Sequence, residues 1–447
     1  MSIIKQGMPA FAGEEDSAEA SVYRKVSWRL LPFLGVLWVL AWLDRVNIGF
    51  AKLQMLDALK FSEAVYGLGA GIFFLGYFLF EVPSNMLLQK IGAKKTIMRI
   101  TICWGVICML QTVVTTPTQF YLLRFLLGAF EAGFYPGVIL YLTYWFPAAY
   151  RGRIVALFMV AIPLSSFFGS PISAALLQLN GLLGFHGWQW MFVLEALPAV
   201  ILGIVAFFYL TDRPESAGWL NDEQRRWLAG PLAQENSSPK AKVGHLSLWQ
   251  VFSNKYILAA SLIYAGASGA SQCLSLWQPQ IIKSFGLTNL ETGLLNSIPF
   301  GVASVLMLLW GRNSDRTGER KWHTAIPLAL LALSLAAAGL SGALAPTIAI
   351  LCVAVTATYI MKGPFWALST EWMSAGVAAA AIAQINAIGN LGGFFGSYLL
   401  GTIKDATGSF ALGLLPLAGL SAVGFILVLS LGRQQAPSGS AAASVAH

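Results

Sequence analysis

Apolar runs of about 20 residues recur from one end of this chain to the other, and they limit its fold more than any other feature. A hydrocarbon core roughly 30 Å thick requires about 20 apolar residues per α-helix. Of the 447 residues, 57% are hydrophobic and 11% are charged, which is too little charge for the surface of a soluble protein of this length. We therefore predict an all-α integral membrane protein with twelve spans. The spans are predicted at 30–50, 65–88, 97–115, 118–142, 153–178, 188–210, 256–280, 291–312, 324–343, 346–372, 378–402 and 409–432.

One segment, residues 212–255, is far too polar to enter a bilayer. It divides the twelve spans into two sets of six. The predicted organisation is a tail at 1–29, an N-terminal bundle at 30–211, this central loop, a C-terminal bundle at 256–432 and a tail at 433–447.

Basic residues are unequally distributed between the two sides of the predicted bundle. Of the 28 Lys and Arg residues, three lie within spans, four lie on the side opposite the N-terminus, and the remaining 21 lie on the side of the N-terminus. Because cytoplasmic loops carry an excess of Lys and Arg, both tails and the central loop are predicted to be cytoplasmic. The net charge of +8 then reflects topology, and no nucleic-acid partner is expected.

The residues that usually carry enzyme chemistry are arranged here without any recognisable pattern. The four cysteines fall in apolar runs without metal-ligand spacing, and we expect them to be small buried side chains. There is no Walker A loop and no H-E-x-x-H motif. No enzyme activity, cofactor or metal site is therefore predicted. The acidic N-terminal segment also lacks the features of a cleaved signal peptide.

A short motif occurs at the same place in both halves, between spans 2 and 3 and between spans 8 and 9. Its residues are Gly311, Asp315, Arg316, Gly318 and Arg320 in the second half, and Lys90 and Gly92 in the first. The first copy matches loosely, because Gln89 stands where the second copy has an acid. Such a motif can form an inter-helix clamp that breaks when the halves move; ordinary positive charge at the cytoplasmic side is the alternative. Two parallel six-helix repeats with this motif resemble the major facilitator superfamily.

Four ionisable residues lie within the first and fourth spans, namely Asp44, Arg45, Arg124 and Glu131. Each costs about 2.5–3.5 kcal/mol at mid-membrane unless it faces the bundle interior or a partner. Arg124 and Glu131 are seven residues apart, which places them on one face of the helix, about 10 Å apart along its axis. They form either a network that merely joins the two spans, or a site where arginine binds a carboxylate and the acids exchange protons.

Several strings resemble the anion:cation symporter branch of this superfamily, in order, over residues 25–432. They are Leu43-Asp44-Arg45-Val46-Asn47, Phe80-Glu81-Val82-Pro83-Ser84-Asn85, and the segments at 124–137, 310–320, 363–368 and 386–394. The chain is most similar to bacterial permeases for tartrate, phthalate, hydroxyphenylacetate and sugar acids such as galactonate. The resemblance implies a proton-coupled importer of small organic anions that works as a monomer in the bacterial inner membrane by alternating access.

The resemblance also implies roles for individual residues of the first half. Asp44 and Glu131 match the proton-binding acids, while Arg45 and Arg124 match the arginines near the substrate. Tyr77 matches a substrate-binding tyrosine. Glu81, four residues further on, is interpreted as a structural residue.

In the second half, two helical faces are candidates for substrate binding. Span 10 presents Lys362, Trp366 and Ser369 at helical spacing, and span 11 presents Asn386 and Asn390. Aromatic residues on such a face also serve in packing, whereas buried amides require a partner. Lys362 either extends toward the cytoplasmic side or faces the cavity, and a cavity position would favour substrates with two negative groups.

Two related activities remain open as alternatives to symport. A proton-coupled efflux antiporter shares the fold, but the usual span 5 signature of that class is absent and three cations lie in the spans. A facilitative anion exchanger would not need Glu131. Ile162 stands where sugar-acid members have a glutamine, which favours a less hydroxylated acid, such as an aromatic or dicarboxylic one.

Overall fold

The computed structural model describes residues 18–226, 228, 254–340, 342–371 and 378–431. Residues 1–17 and 433–447 of the predicted tails and most of the predicted central loop therefore lie outside the described residues, and the proposed domain boundaries stay predictions. The α-helices are α1 Ala18–Val46, α2 Ile48–Leu59, α3 Glu63–Ile91, α4 Ala93–Leu110, α5 Pro117–Glu131, α6 Phe134–Thr143, α7 Ala148–Leu176, α8 Gly187–Tyr209, α9 Lys255–Lys283, α10 Asn289–Thr317, α11 Lys321–Ala337, α12 Leu344–Ile360, α13 Lys362–Glu371, α14 Ala378–Thr407 and α15 Phe410–Leu431.

These helices account for twelve spans in the predicted order. Ten helical segments of the described chain are long and apolar enough to cross a membrane. The other two spans are α11, which is apolar but only 17 residues long, and α14, which has 30 residues that include several glycines and amides. The observed helices extend beyond the predicted spans, since α1 begins at Ala18 rather than at residue 30. Helical hydrogen bonding continues past the apolar run into the interface.

Spans 1, 4 and 10 each consist of two helices, although the sequence predicts continuous segments. The breaks lie at Asn47, at Ala132 and Gly133, and at Met361. Gly133 has φ +85°, and a Cβ there would approach Ser84 Oγ to 2.5 Å, so this break depends on glycine.

Each of these breaks lies next to an ionisable residue of the candidate site. Arg45 is two residues before Asn47, Glu131 directly precedes Ala132, and Lys362 directly follows Met361. Irregular backbone at membrane depth is tolerated where it is buried in protein or lines a cavity. The breaks therefore bring polar backbone and charged side chains to the same places in the bundle.

The two six-helix halves meet through three pairs of spans: 1 with 7, 2 with 11, and 5 with 8. We name the side of Ala18 and Leu431 the near side, and the opposite side the far side. Close approaches occur on the far side, where a Cβ on Gly67 would lie 2.6 Å from Ser397 O and one on Gly293 2.7 Å from Ser170 O. Glycine is needed there because backbone meets backbone.

A set of polar contacts, which we name the far-side lock, joins the halves at this end. The Asp405 carboxylate accepts hydrogen bonds from the backbone N–H groups of Glu63 (2.9 Å) and Ala64 (2.8 Å), so the second half caps the start of α3. Lys52, only 2% exposed, lies 2.5 Å from Glu63 Oε2 and 3.6 Å from the Trp277 ring centroid. The halves are therefore closed at the far side.

The duplicated motif lies at the near side and differs between its two copies. In the first copy Gly92 has φ +89° and ψ 160°, a conformation open essentially only to glycine. Asp212, which follows span 6, accepts a hydrogen bond from the Lys94 N–H at 2.8 Å. A residue outside the motif thus supplies the acid that the first copy lacks.

In the second copy, the acid is engaged within its own motif. Asp315, in the last turn of α10, forms an ion pair of 2.8 Å with Arg320, and its side chain is 74% exposed. Gly318 ends α10 with φ +64°. Lys90 and Arg316 are exposed at this side. The predicted clamp between helices stays a prediction, because this ion pair joins the end of α10 only to the residues that directly follow it.

Replacement of Asp405 by alanine should loosen the far-side lock. Loss of the cap removes about 1–2 kcal/mol, which is roughly a 5- to 30-fold change in a two-state equilibrium. In a variant that keeps Cys273 as its only cysteine, the rate of N-ethylmaleimide labelling should rise by about that factor, since Cys273 is buried beside Lys52. Asp57→Ala, an exposed acid on the same side, is the matched control. Equal labelling rates in both variants would show that Asp405 does not hold the halves together.

Gly92→Ala should lower the thermal midpoint of the purified protein. Alanine pays on the order of 1–3 kcal/mol for this backbone conformation, and its Cβ would approach Asp212 Oδ1 to 2.9 Å. Gly311→Ala is the control, because Gly311 is helical and a methyl group on it would meet no atom of the described residues within 4 Å. The same midpoint for both variants would contradict a special requirement for glycine at 92.

Candidate functional site

An ion pair joins spans 1 and 4 in the middle of the first half. Arg45 Nε donates to Glu131 Oε1 at 3.0 Å, and Nη2 of the same guanidinium group contacts the same oxygen. Both side chains are buried. The structure thus brings together two of the four ionisable residues singled out in the sequence.

Three aromatic rings surround the Arg45 guanidinium group. Its Cζ atom lies 4.8 Å from the centroid of Trp42, 5.2 Å from that of Phe73 and 5.0 Å from that of Tyr77. Rings at this distance attract a cation through their quadrupole. Tyr77, which is predicted to bind substrate, therefore lies beside Arg45; its role in binding stays a prediction.

Arg124 is fully buried, at 0% exposed, and no carboxylate of the described chain pairs with it. None of its three guanidinium nitrogens has a hydrogen-bond acceptor among the described residues. Its closest cation–π neighbour is Phe73, whose ring centroid is 5.0 Å from Cζ. The sequence suggests that Arg124 and Glu131 share a face, but the Glu131 carboxylate is engaged by Arg45. The result is a buried cation with open hydrogen-bonding capacity.

Asp44 faces a different side of span 1 from its neighbour Arg45. Its carboxylate accepts hydrogen bonds from Trp104 Nε1 at 3.1 Å and from Cys108 Sγ at 3.7 Å, both on α4. Cys108 is thus a polar partner, which corrects the expectation of a purely apolar thiol. Consecutive residues on a helix point about 100° apart, so one helix can serve two pockets. The hydrogen bond from Trp104 was not predicted, because a tryptophan in an apolar span is usually interpreted as a packing residue.

The span 10 face contains an aromatic cluster beside a lysine. The Tyr264 ring packs on Phe365 at 5.3 Å and on Trp366 at 5.0 Å between centroids. Lys362 is partly exposed, and its Nζ lies 4.5 Å from the Tyr359 ring centroid. Of the predicted binding residues here, Trp366 is thus engaged in packing within the second half.

The predicted polar residues of spans 10 and 11 have protein partners. Gln272 Nε2 of α9 donates to Asn390 Oδ1 at 3.3 Å, and Asn386 Nδ2 donates to Glu81 Oε1 at 3.3 Å. The latter bond crosses between the halves, so Glu81 lies at their interface. Ser369 is buried and donates to the Trp366 carbonyl of its own helix at 3.1 Å. Gln272 was not among the predicted residues. It could have been identified from the sequence, because it places an amide within an apolar span.

Residues 34–397 match the family model described as Major Facilitator Superfamily. The chain belongs to this superfamily. Its twelve-helix fold is therefore confirmed, and the protein is a multi-pass membrane transporter rather than an enzyme.

Related proteins are similar in sequence to this superfamily member over nearly its whole length. It is 49% identical to a putative tartrate transporter of Agrobacterium vitis over 96% of this chain and 99% of that protein. A second putative tartrate transporter of the same organism is 50% identical over 93% and 92%. A crystal structure of a bacterial homolog of the human lysosomal transporter Spinster superposes with a TM-score of 0.72 at 17% identity, covering 94% of this chain and 95% of that one.

Trp104→Phe should destabilise the protein by removing a donor from Asp44. A hydrogen bond to a charged group contributes about 1.5–3 kcal/mol, and the loss should appear as a lower thermal midpoint. Trp188→Phe is the matched control, because Trp188 is equally buried and its Nε1 makes no hydrogen bond to a described residue. In an Asp44→Asn background the excess effect of Trp104→Phe should shrink. An effect no larger than that of the control would rule out the assigned bond.

Proposed function

We propose that this transporter is a proton-coupled symporter that imports a small organic anion, with a carboxylate as the recognised group. The observation that carries the proposal is Arg124, a fully buried guanidinium group without an acceptor in the described chain, next to the Arg45–Glu131 ion pair. A buried charge without a partner costs several kcal/mol, and a bound anion would remove that cost. The names of the two tartrate-transporter relatives support a carboxylate as the ligand.

Glu131 would control access of the substrate to Arg45. While it is ionised, its carboxylate occupies Arg45, as a bound substrate would. Protonation of Glu131 would weaken this pair and free the Arg45 guanidinium group, which is suited to bidentate binding of a carboxylate. Substrate and proton would then bind together. Protonation of Glu131 leaves the Arg45 guanidinium group without a counter-charge, and the bound carboxylate supplies one.

The remaining proposed binding residues are Tyr77, which lies beside Arg45, and residues of spans 10 and 11. Tyr77 would donate its hydroxyl to the anion beside Arg45, and Asn386 and Asn390 would exchange their present protein partners for substrate oxygens. Trp366 and Ser369 would shape the wall contributed by span 10. Lys362 would bind a second negative group if the substrate is a dicarboxylate.

Alternating access would follow from the proposed orientation, in which the near side is cytoplasmic. From a state open at the far side, Asp44 and Glu131 bind protons and the anion binds at the arginines. The halves then close into the conformation described above, with the far-side lock formed. Release of protons to the cytoplasm lets Glu131 recapture Arg45 and displace the anion. The duplicated motif loops would stabilise the opposite, near-side-closed state.

Uptake into liposomes tests this function. With an inward proton gradient, purified protein should accumulate radiolabelled tartrate above its external concentration, and a protonophore should abolish the accumulation. Glu131→Gln, which mimics the protonated acid, should lose this accumulation at least tenfold while it still exchanges labelled for unlabelled tartrate. Arg45→Ala should lose the tartrate-induced rise in thermal midpoint that is expected of a bound ligand. Glu291→Gln, an exposed acid at the far side, should behave as wild type.

The alternatives predict different outcomes in the same assay. An exchanger would move tartrate equally well without a proton gradient, and an antiporter would accumulate it only when the interior is acidic. Phthalate, hydroxyphenylacetate and galactonate are the further anions for the thermal-shift comparison. Retained binding in Arg45→Ala, or full accumulation in Glu131→Gln, would overturn the proposed roles.

A further inference from the structure

A third buried acid, Glu195 of α8, lies in the first half in addition to Asp44 and Glu131. It is 3% exposed, in the middle of span 6, and it belongs to none of the strings used to interpret the sequence. With it, the interior of this half holds three carboxyl groups against the two arginines, Arg45 and Arg124. Lys52, the other buried cation, is engaged by Glu63 at the far side.

Glu195 shares a pocket, which we name the rear pocket, with Asp44 beside span 1. Four elements line this rear pocket: Asp44 comes from α1, Cys108 from α4, Ser173 from α7, and Asn47 from the break between α1 and α2. The Asn47 amide lies 3.6 Å from Cys108 Sγ and also neighbours the Glu195 carboxyl group. Among the described residues, no cation contacts either carboxyl group of this rear pocket.

Hydrogen bonding in the rear pocket is incomplete. Ser173 Oγ donates to Glu195 Oε1 at 2.6 Å, but Glu195 Oε2 is buried and has no donor among the described residues. Asn47 Oδ1 is likewise buried without a donor in the described chain. Both atoms accept hydrogen bonds and neither donates while Glu195 is ionised. Glu195 Oε2 and Asn47 Oδ1 therefore each lack a donor, and a proton on the Glu195 carboxyl group would supply one.

Charge leads to the same conclusion independently. Two carboxylates in one buried site repel each other, and each has lost its hydration. Glu131 adds to the repulsion on Asp44. Among the described residues, Arg124 interacts electrostatically with Cys108 of this pocket but forms no ion pair with either carboxyl group. One proton retained in the rear pocket removes the repulsion between the two carboxylates. It also leaves two ionised carboxylates in the interior of this half, which equals the number of its buried arginines. Asn47 forms the hinge of the broken span, so movement of α1 against α2 would change the surroundings of both carboxyl groups.

We propose that Glu195 is a further proton-exchanging residue of the transport cycle, which shares a proton with Asp44 in the rear pocket. The inference rests on the proposed symport for its role in transport. A proton taken up from the far side resides on the Asp44–Glu195 pair and leaves from it to the near side, with no bond other than O–H made or broken. The alternative is a permanently protonated Glu195 that serves only as a structural donor.

The first test measures the number of protons carried per anion. In proteoliposomes, proton movement reported by an internal pH dye is compared with uptake of labelled tartrate. Glu195→Gln should carry one proton fewer per tartrate than wild type and should keep tartrate exchange, because glutamine mimics the protonated acid. Glu291→Gln is the control and should keep the wild-type ratio. An unchanged ratio in Glu195→Gln, or loss of both exchange and uptake in a folded variant, overturns the proposal.

The second test does not depend on transport, so it separates this inference from the proposed function. The thermal midpoints of wild type and Glu195→Gln are compared from pH 5 to pH 8. Their difference should change by several degrees across this range if Glu195 exchanges a proton, and the change should become smaller or move along the pH axis in an Asp44→Asn background. A constant difference at every pH means a structural role and overturns the inference. If wild type carries no tartrate, the proposed function fails for this anion while the thermal comparison still decides the role of Glu195.

A milder variant, Ser173→Ala, keeps the inference testable if Glu195→Gln does not fold. Ser173→Ala removes the donor to Oε1 and keeps the carboxyl group. It should move the pH-dependent change in midpoint along the pH axis without abolishing it. A midpoint profile identical in shape and position to that of wild type would count against titration of Glu195.

Discussion

Transfer of a guanidinium group from water to the interior of a helical bundle costs several kcal/mol unless a carboxylate or a ligand compensates it. This chain buries two such groups within the same half and provides one of them with a carboxylate, the Arg45–Glu131 pair. Much of the local architecture serves that arrangement. Spans 1 and 4 break beside the pair, aromatic rings surround Arg45, and Asp44 is turned away toward Trp104.

The broken spans and the continuous spans contribute differently to the fold. Continuous spans 2, 5, 8 and 11 form two of the three pairs of contacts between the halves, where small residues allow backbones to approach closely. The broken spans hold Arg45, Glu131 and Lys362 beside their breaks, because an interrupted helix exposes polar backbone to the same interior. Since both partners of the Arg45–Glu131 pair lie in the first half, the halves can move relative to each other without breaking it.

Hydropathy was sufficient to predict the twelve spans, because a membrane requires long apolar runs and tolerates few charges within them. The breaks could not be predicted, since Asn47 and Ala132 are ordinary residues within such runs and only Gly133 carries a conformational signal. The four ionisable residues were found because charge in lipid is costly. Their pairing was not found, since helical spacing relates residues of one helix, whereas the Arg45–Glu131 pair joins span 1 to span 4. Glu195 carries the same signal of charge in lipid, since it lies within the predicted span at 188–210, but it was missed because it belongs to none of the strings that carry the resemblance. The bond between Asp212 and Lys94 could not be predicted because it joins residues far apart in sequence.

The cap that Asp405 places on α3 makes each half dependent on the other for its secondary structure as well as for its packing. A six-helix repeat on its own would begin its second span with two N–H groups that only water could satisfy. Separation of the halves at the far side is therefore also the partial uncapping of a helix, and hydration of that helix end belongs to the energetics of opening. The two repeats therefore share a helix arrangement, but the first depends on the second for a helix cap. This difference between the repeats lies at the far side, through which substrate would enter.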